Sequence, residues 1–263
     1  MKKLHFVYNN LELFYKDALT PTKFGSINWH KQFLKSNDPN FRGLNLTDII
    51  KYKYGYNKNL DQIKNLSTDL NLGGSSNKYI YDEFDGDDMN YDRLLEGFPA
   101  MRKRIKQYGI GSGRLINVYI VVSENCYTNY DKMLNKSITA MQIIDLLETI
   151  GYRVAVYACA SSRDEYGNYN GEKDIHYQLM ICLKNYNDSL NKPLIMNGIS
   201  PWFFRYFIFA HKIGHYDASP NLGISTTLDV PMTKETIIIN KGECLSENSS
   251  KEKIKQIIKL FGI

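Results

Sequence analysis

RLINVYIVV, residues 114–122, is the stretch that decides the predicted fold. Most of it is apolar and much of it is β-branched, as in a strand buried on both faces of a parallel sheet. Apolar residues then recur at helical spacing from Ile138 to Leu147, and Gly151 is typical of a helix C-cap. A second apolar strand, residues 152–158, follows directly. Because strand, crossover helix and parallel strand form a right-handed unit, the pattern predicts an α/β fold.

Apolar segments further along the chain extend the predicted sheet. Residues 177–184 form a third strand, and the hydrophilic link before it favours antiparallel pairing with residues 152–158. The link itself, residues 161–174, is predicted as a loop. We therefore expect a mixed or mostly parallel sheet flanked by helices. The other predicted elements in this part of the chain are a strand at residues 236–240 and helices at residues 202–213 and 249–260.

The first part of the chain has a different character, with short aromatic and polar pieces in place of long apolar runs. A short strand around Phe6 and a helix over residues 11–19 are predicted, and GGSSN at residues 73–77 indicates a loop or hinge. We predict two parts: an irregular, α-rich N-terminal elaboration over residues 1–80 and the α/β domain over residues 81–263.

Composition restricts the class of protein. With 263 residues, 43% hydrophobic and 13% aromatic, the chain is globular, and a net charge of +5 permits polyanion binding without requiring it. The four cysteines form no C-x-x-C pair, which favours a reduced, intracellular protein. No apolar segment follows Met1-Lys2-Lys3, and no run approaches the roughly 18 apolar residues of a membrane span. We predict neither a signal peptide nor a transmembrane segment.

Polar residues directly after the first strand resemble the metal-binding turn of the von Willebrand factor A (vWA) domain, which has a Rossmann-type sheet. In that family the strand ends in Asp-x-Ser-x-Ser, whose side chains hold a divalent cation. The matching positions here are Val121, Ser123 and Asn125, so the carboxylate is replaced by valine. A hard cation prefers anionic oxygen ligands. We therefore predict no cofactor, with Mg²⁺ or Mn²⁺ at Ser123 and Asn125 as the less favoured alternative.

Three further segments resemble an uncharacterised group of phage-encoded vWA-like proteins: LLEGFPAM at residues 94–101, the helix–strand passage at residues 140–156, and PWFFR at residues 201–205. The resemblance covers residues 90–215, approximately half of the chain. It implies a phage protein in the cytoplasm of an infected bacterium. Members of the family with this architecture often work beside MoxR-type ATPases or on RNA, so the resemblance also implies such partners.

The favoured binding surface is the rim where the strands end, because open α/β sheets bind ligands at the carboxyl ends of their strands. Alternatively, these polar residues only cap the helix and satisfy turn amides. A functional rim predicts a non-enzymatic adaptor that recognises a protein partner. The predicted rim residues are Ser123, Glu124, Asn125, Thr128, Ser161, Ser162 and Asp164.

A basic run gives the second hypothesis, a factor that binds single-stranded DNA or RNA. Cationic side chains can hold phosphates, and a neighbouring aromatic ring can stack on a base. The alternative is a solvated charged face. The residues concerned are Arg102, Lys103, Arg104, Lys106 and Tyr108.

Metal chemistry gives the third hypothesis, a metal-dependent enzyme acting through the acidic loop of residues 82–88. The loop lacks the spacing of an EF-hand, which favours a solvated loop. His211-x-x-x-His215 with Asp217 resembles a zinc pattern, but Lys212 stands where His-Glu-x-x-His has its glutamate. Gly214 is predicted to end the helix between the two histidines, so zinc is not favoured. No nucleophile–base arrangement is recognisable, and we predict no catalytic residue.

Overall fold

The decisive stretch forms an inner strand of a six-stranded mixed sheet. The computed structural model describes residues 2–20, 27–57, 78–83, 88–105, 113–164, 174–216, 223–231 and 233–261. Within them, the strands of this sheet are β1 (Lys2–Tyr8), β5 (Leu115–Val121), β6 (Arg153–Asp164), β7 (Ile175–Lys184), β8 (Ile224–Ser225) and β9 (Thr236–Ile239). A separate three-stranded sheet contains β2 (Lys78–Asp82), β3 (Asp88–Met89) and β4 (Met101–Ile105).

The pairing confirms an α/β fold with a mixed, mostly parallel sheet. The order is β1-β7-β6-β5-β9, with β8 beside β6. Parallel pairs are β5 with β6, β5 with β9 and β1 with β7, whereas β7 and β8 pair antiparallel with β6. The predicted antiparallel pairing of the third strand is therefore confirmed. The closer assignment to the vWA family stays a prediction.

Helices cover the sheet, and the crossover helix lies where the pattern predicts it. Asn129 accepts the backbone N–H of Asp131 at its first turn, and Gly151 follows its end with φ of +98°, a left-handed conformation that glycine adopts readily. The described helices are α1 (Leu11–Ala18), α2 (Ile27–Lys35), α3 (Pro39–Arg42), α4 (Leu46–Lys51), α5 (Tyr91–Leu95), α6 (Tyr130–Thr149), α7 (Lys192–Gly198), α8 (Phe209–Tyr216) and α9 (Glu247–Phe261). In the described part of the chain, no helix is long and apolar enough to cross a membrane.

The first residues of the chain are part of the main sheet. Strand β1 pairs with β7 along its whole length, and Phe14 of α1 is fully buried in the same core as the central strands. The predicted boundary at residue 80 stays a prediction as a statement about independent folding. Residues 2–18 nevertheless contribute a strand and a helix to the later part of the chain.

Two predicted boundaries are wrong, and tertiary packing explains both. Strand β6 does not end at Ala158 but continues to Asp164, because β7 and β8 pair with the polar residues that follow. Gly214 does not end its helix either. Residues Phe203–Ile208 form a π-helical segment that leads into α8, which continues to Tyr216. A glycine costs a helix only about 1 kcal/mol, and burial of the surrounding residues compensates for that cost.

Candidate functional site

A cavity of about 720 Å³ lies where β5 ends and β6 continues past it. One wall is polar and consists of residues that follow β5 and residues of β6 and β8. The opposite wall is aromatic and comes from α2, α3, α8 and the π-helical segment. The aromatic wall is formed by Trp29, Phe33, Phe41, Phe204 and Phe209.

Five of the seven predicted rim residues line this cavity: Ser123, Glu124, Asn125, Ser161 and Ser162. The structure therefore brings together two groups that are far apart in sequence. Thr128 and Asp164 are not among the lining residues. The carbonyl oxygen of Thr128 accepts a hydrogen bond from the Arg205 guanidinium, and Asp164 is buried near the end of β6.

The tip of β5 is not the exposed edge that the sequence predicts. Ser123 is 2% exposed, because β8 packs beside the continuation of β6 and covers it. Its hydroxyl donates to the Ser161 carbonyl at 3.2 Å, accepts the Ser161 N–H at 3.1 Å and lies 3.0 Å from Ser225 Oγ. Ser123 thus extends the β5–β6 ladder by one residue. An oxygen engaged in this way does not fit Mg²⁺ or Mn²⁺ coordination.

Glu124 belongs to a buried ion pair that the sequence gave no reason to expect. Its carboxylate lies 2.8 Å from Nζ of Lys136 and accepts the Gly242 N–H at 2.9 Å. Lys136 also donates to the carbonyl oxygens of Val121 at 2.6 Å and Asn240 at 2.7 Å. Burial lowers the pKa of Lys136, and Glu124 opposes that shift. The pair joins the ends of β5 and β9 to α6, so its role is architectural.

Lys212 is the functional candidate that the sequence analysis missed. It lies on α8, is 3% exposed, and lines the cavity. Its Nζ donates to Ser162 Oγ at 2.6 Å and lies 5.3 Å from the centre of the Tyr177 ring. Burial lowers the pKa of Lys212 to about 7, and the nearby Asp164 carboxylate opposes the shift. A lysine buried in a helix that otherwise packs in the core was the available signal.

The remaining part of the polar wall is more exposed. Arg163 forms an ion pair with Asp174, with 2.7 Å between Nε and Oδ1, and both side chains are partly exposed. Asn125 and Cys126 are exposed, and Tyr127 is 96% exposed although it lines the cavity. Tyr127 therefore marks the mouth of the cavity.

The other sequence candidates lie elsewhere. Arg102, Lys103 and Arg104 are in β4 of the small sheet, and Lys106 and Tyr108 lie outside the described residues. The acidic loop is described only at its two ends, where Asp82 belongs to β2 and Asp88 to β3. The nucleic-acid surface and the metal-dependent enzyme both stay predictions. His211 and His215 share one face of α8, and Asp217 lies outside the described residues.

Comparison with known proteins identifies a family. Over residues 2–263 the sequence matches the model of a family described as a domain of unknown function, DUF7192. The chain belongs to the DUF7192 family. Searches of curated proteins and of solved structures gave no match. The DUF7192 description assigns no activity, so the chemistry of the cavity has to carry the functional argument.

Proposed function

We propose that this DUF7192 protein is a non-enzymatic binding protein, an adaptor whose cavity accepts a segment of a protein partner. The segment carries a large apolar side chain next to a carboxylate. The observation that carries the proposal is the placement of a buried lysine, Lys212, on the wall of a cavity of about 720 Å³ that faces five aromatic rings.

The size and lining of the cavity are those of a ligand site. Binding pockets typically enclose about 300–1,000 Å³ and combine apolar walls with a few polar groups that fix orientation. Here Phe33, Phe204 and Phe209 offer apolar surface to an aromatic or branched side chain. A ligand that excludes water from such walls gains roughly 25 cal/mol for each Å² of apolar surface buried. The aromatic wall therefore supplies affinity.

Lys212 supplies the preference for an anion. An ammonium group taken out of water is unfavourable unless an anion or hydrogen-bond acceptors compensate. Lys212 has Ser162 as a neutral acceptor and Asp164 in its vicinity. A ligand carboxylate in the cavity adds a second negative charge near Nζ. The matching ligand is therefore apolar at one end and acidic at the other.

The mouth of the cavity supports a protein partner over a small molecule. Tyr127 is 96% exposed and Ile224 is 51% exposed, and both belong to the cavity lining. Exposed aromatic and aliphatic side chains around a pocket are typical of protein-recognition surfaces. They extend the apolar surface beyond what an enclosed small ligand would contact.

A fluorescence titration tests the proposal, because Trp29 lines the cavity whereas Trp202 is fully buried in the core. We expect a short peptide with a C-terminal phenylalanine carboxylate to change the emission of Trp29 in a saturable manner. The same peptide with a C-terminal amide should bind more weakly, because it lacks the charge for Lys212. In Trp29→Phe the signal should disappear. An unchanged emission at millimolar peptide would contradict the proposal.

The partners implied by the vWA resemblance stay predictions: a MoxR-type ATPase, another phage or host protein, and RNA or single-stranded DNA. A phage origin and a location in the host cytoplasm have the same standing. Binding of nucleic acid would involve β4, which is not among the elements that line the cavity.

A further inference from the structure

Four polar side chains converge away from the cavity, where β1 and α1 meet α8. The i, i+4 spacing of His211 and His215 places both rings on one face of α8, stacked 4.2 Å apart and nearly parallel at 5°. Asp17 of α1 lies opposite both rings. Its Oδ1 lies 2.9 Å from His215 Nε2, and its Oδ2 lies 3.8 Å from His211 Nε2. Tyr8 donates to Oδ2 and lies 2.6 Å from His211 Nε2.

The second nitrogen of each ring is held from behind. His211 Nδ1 lies 2.8 Å from the hydroxyl of Tyr177, and His215 Nδ1 lies 3.1 Å from the backbone carbonyl oxygen of His211. Metal-binding histidines almost always have such a partner on the nitrogen that faces away from the metal, because it fixes the ring and its tautomer. Both histidines are thus oriented with Nε2 toward Asp17.

The carbonyl partner of His215 has a direct chemical consequence. A carbonyl oxygen only accepts hydrogen bonds, so Nδ1 of His215 must carry a proton. In a neutral ring, Nε2 then has a lone pair that points at a carboxylate oxygen 2.9 Å away. Two lone pairs at this distance repel each other. A positive species must therefore lie between His215 and Asp17, either a proton on Nε2 or a metal ion.

We propose that Asp17, His211 and His215 form a binding site for a divalent transition metal, with Zn²⁺ as the best match. Imidazole nitrogen and carboxylate oxygen are common zinc ligands, and zinc accepts them at about 2.0–2.2 Å. Tetrahedral coordination at that radius places ligand atoms about 3.3 Å apart. The observed separations of 2.9 and 3.8 Å lie on either side of this value, and all candidate ligand atoms lie within 4.8 Å of one another.

Metal entry requires a small, balanced rearrangement of protons. The metal replaces the proton on Nε2 of His215, which leaves to solvent. The ring proton of His211 moves from Nε2 to Nδ1, where it is donated to the Tyr177 hydroxyl, and Tyr8 turns away from His211. Burial lowers the pKa of His211 to about 3, so its ring is neutral and offers a lone pair at neutral pH. The Asp17 side chain is 36% exposed and gives the ion access from solvent.

Titration of the tag-free, chelator-treated protein with Zn²⁺ alone tests the site. We expect one Zn²⁺ to bind per chain by calorimetry and to raise the melting temperature. Co²⁺ in its place should give the visible absorption of a tetrahedral complex. Asp17→Asn and His215→Ala should each weaken Zn²⁺ binding at least about tenfold, and Tyr177→Phe should weaken it by about 10- to 100-fold. His5→Ala, which removes an exposed histidine of β1, is the matched control and should bind as the parent protein does.

The variants separate a metal site from a simple ion pair. Asp17→Asn keeps the shape of the side chain, and Tyr177→Phe keeps the ring in the core, so at least one of them should give a folded protein. No one-to-one Zn²⁺ binding by the parent protein would overturn the inference. Equal binding by the parent protein, Asp17→Asn and His215→Ala would also overturn it, leaving a protonated His215 paired with Asp17. The outcome is independent of the cavity, because the titration contains no peptide.

Discussion

Replacing Lys136 with methionine is expected to lower the free energy of unfolding by about 3–5 kcal/mol, the usual cost of removing one partner of a buried ion pair. Methionine fills a similar volume, so the loss is electrostatic. Glu124 would keep the Gly242 N–H but lose the ammonium 2.8 Å away. The carbonyl oxygens of Val121 and Asn240 would also lose their donor. Urea denaturation followed by circular dichroism measures the change.

Two further variants isolate the cause. Lys136→Met combined with Glu124→Leu removes both charges and should destabilise the protein less than Lys136→Met alone, because no buried charge stays unpaired. Lys192→Met removes a more exposed ion pair, with 2.7 Å between Lys192 Nζ and Asp145, and should cost about 1 kcal/mol or less. Equal losses in Lys136→Met and Lys192→Met would show that the buried pair does not hold the sheet edge to α6.

Replacing Lys212 with methionine is expected to weaken binding of the carboxylate peptide by about 30-fold or more. Loss of a buried charge partner costs a complex about 2–5 kcal/mol, and 1.4 kcal/mol corresponds to a factor of ten. The Trp29 titration measures the effect. Methionine keeps the apolar wall, so binding of the amide peptide should hardly change. The ratio of the two affinities therefore reports the contact between Lys212 and the carboxylate.

Arg163→Gln is the matched control for Lys212. Arg163 also lines the cavity, but its guanidinium is partly exposed and lies 2.7 Å from Asp174. Exposed ion pairs contribute only about 0–1 kcal/mol, so this change should weaken carboxylate binding less than about tenfold. A larger loss in Arg163→Gln than in Lys212→Met would place the carboxylate at the exposed end of the cavity and contradict the assignment.

The sequence predicted the elements whose character depends on local pattern. The apolar run at residues 115–121, the helix before Gly151 and the antiparallel partner at residues 175–184 all lie where periodicity and turn residues indicate. These elements satisfy most of their hydrogen bonds with near neighbours or bury a continuous apolar surface. Both properties are visible in a short window of sequence.

Features that depend on distant partners could not be predicted in the same way. Ser161 and Ser162 look like loop residues, and only pairing with β7 and β8 makes them part of a strand. The rim was placed correctly along the chain, but β8 buries its first residue. The aromatic wall comes from residues between Trp29 and Phe209, and no periodicity relates them. Likewise, the carboxylate beside the two histidines is Asp17, which lies almost 200 residues away.

Photo-cross-linking tests most directly whether the cavity is the binding site. The peptide with a free carboxylate would carry a benzophenone analogue of phenylalanine at its C-terminus, and mass spectrometry would locate the adduct. We predict adducts on the aromatic wall, at Phe33, Phe204 or Phe209. An excess of unlabelled carboxylate peptide should suppress them, and the amide peptide should do so less well. Adducts confined to β4 or to the exposed face of α9 would contradict the account.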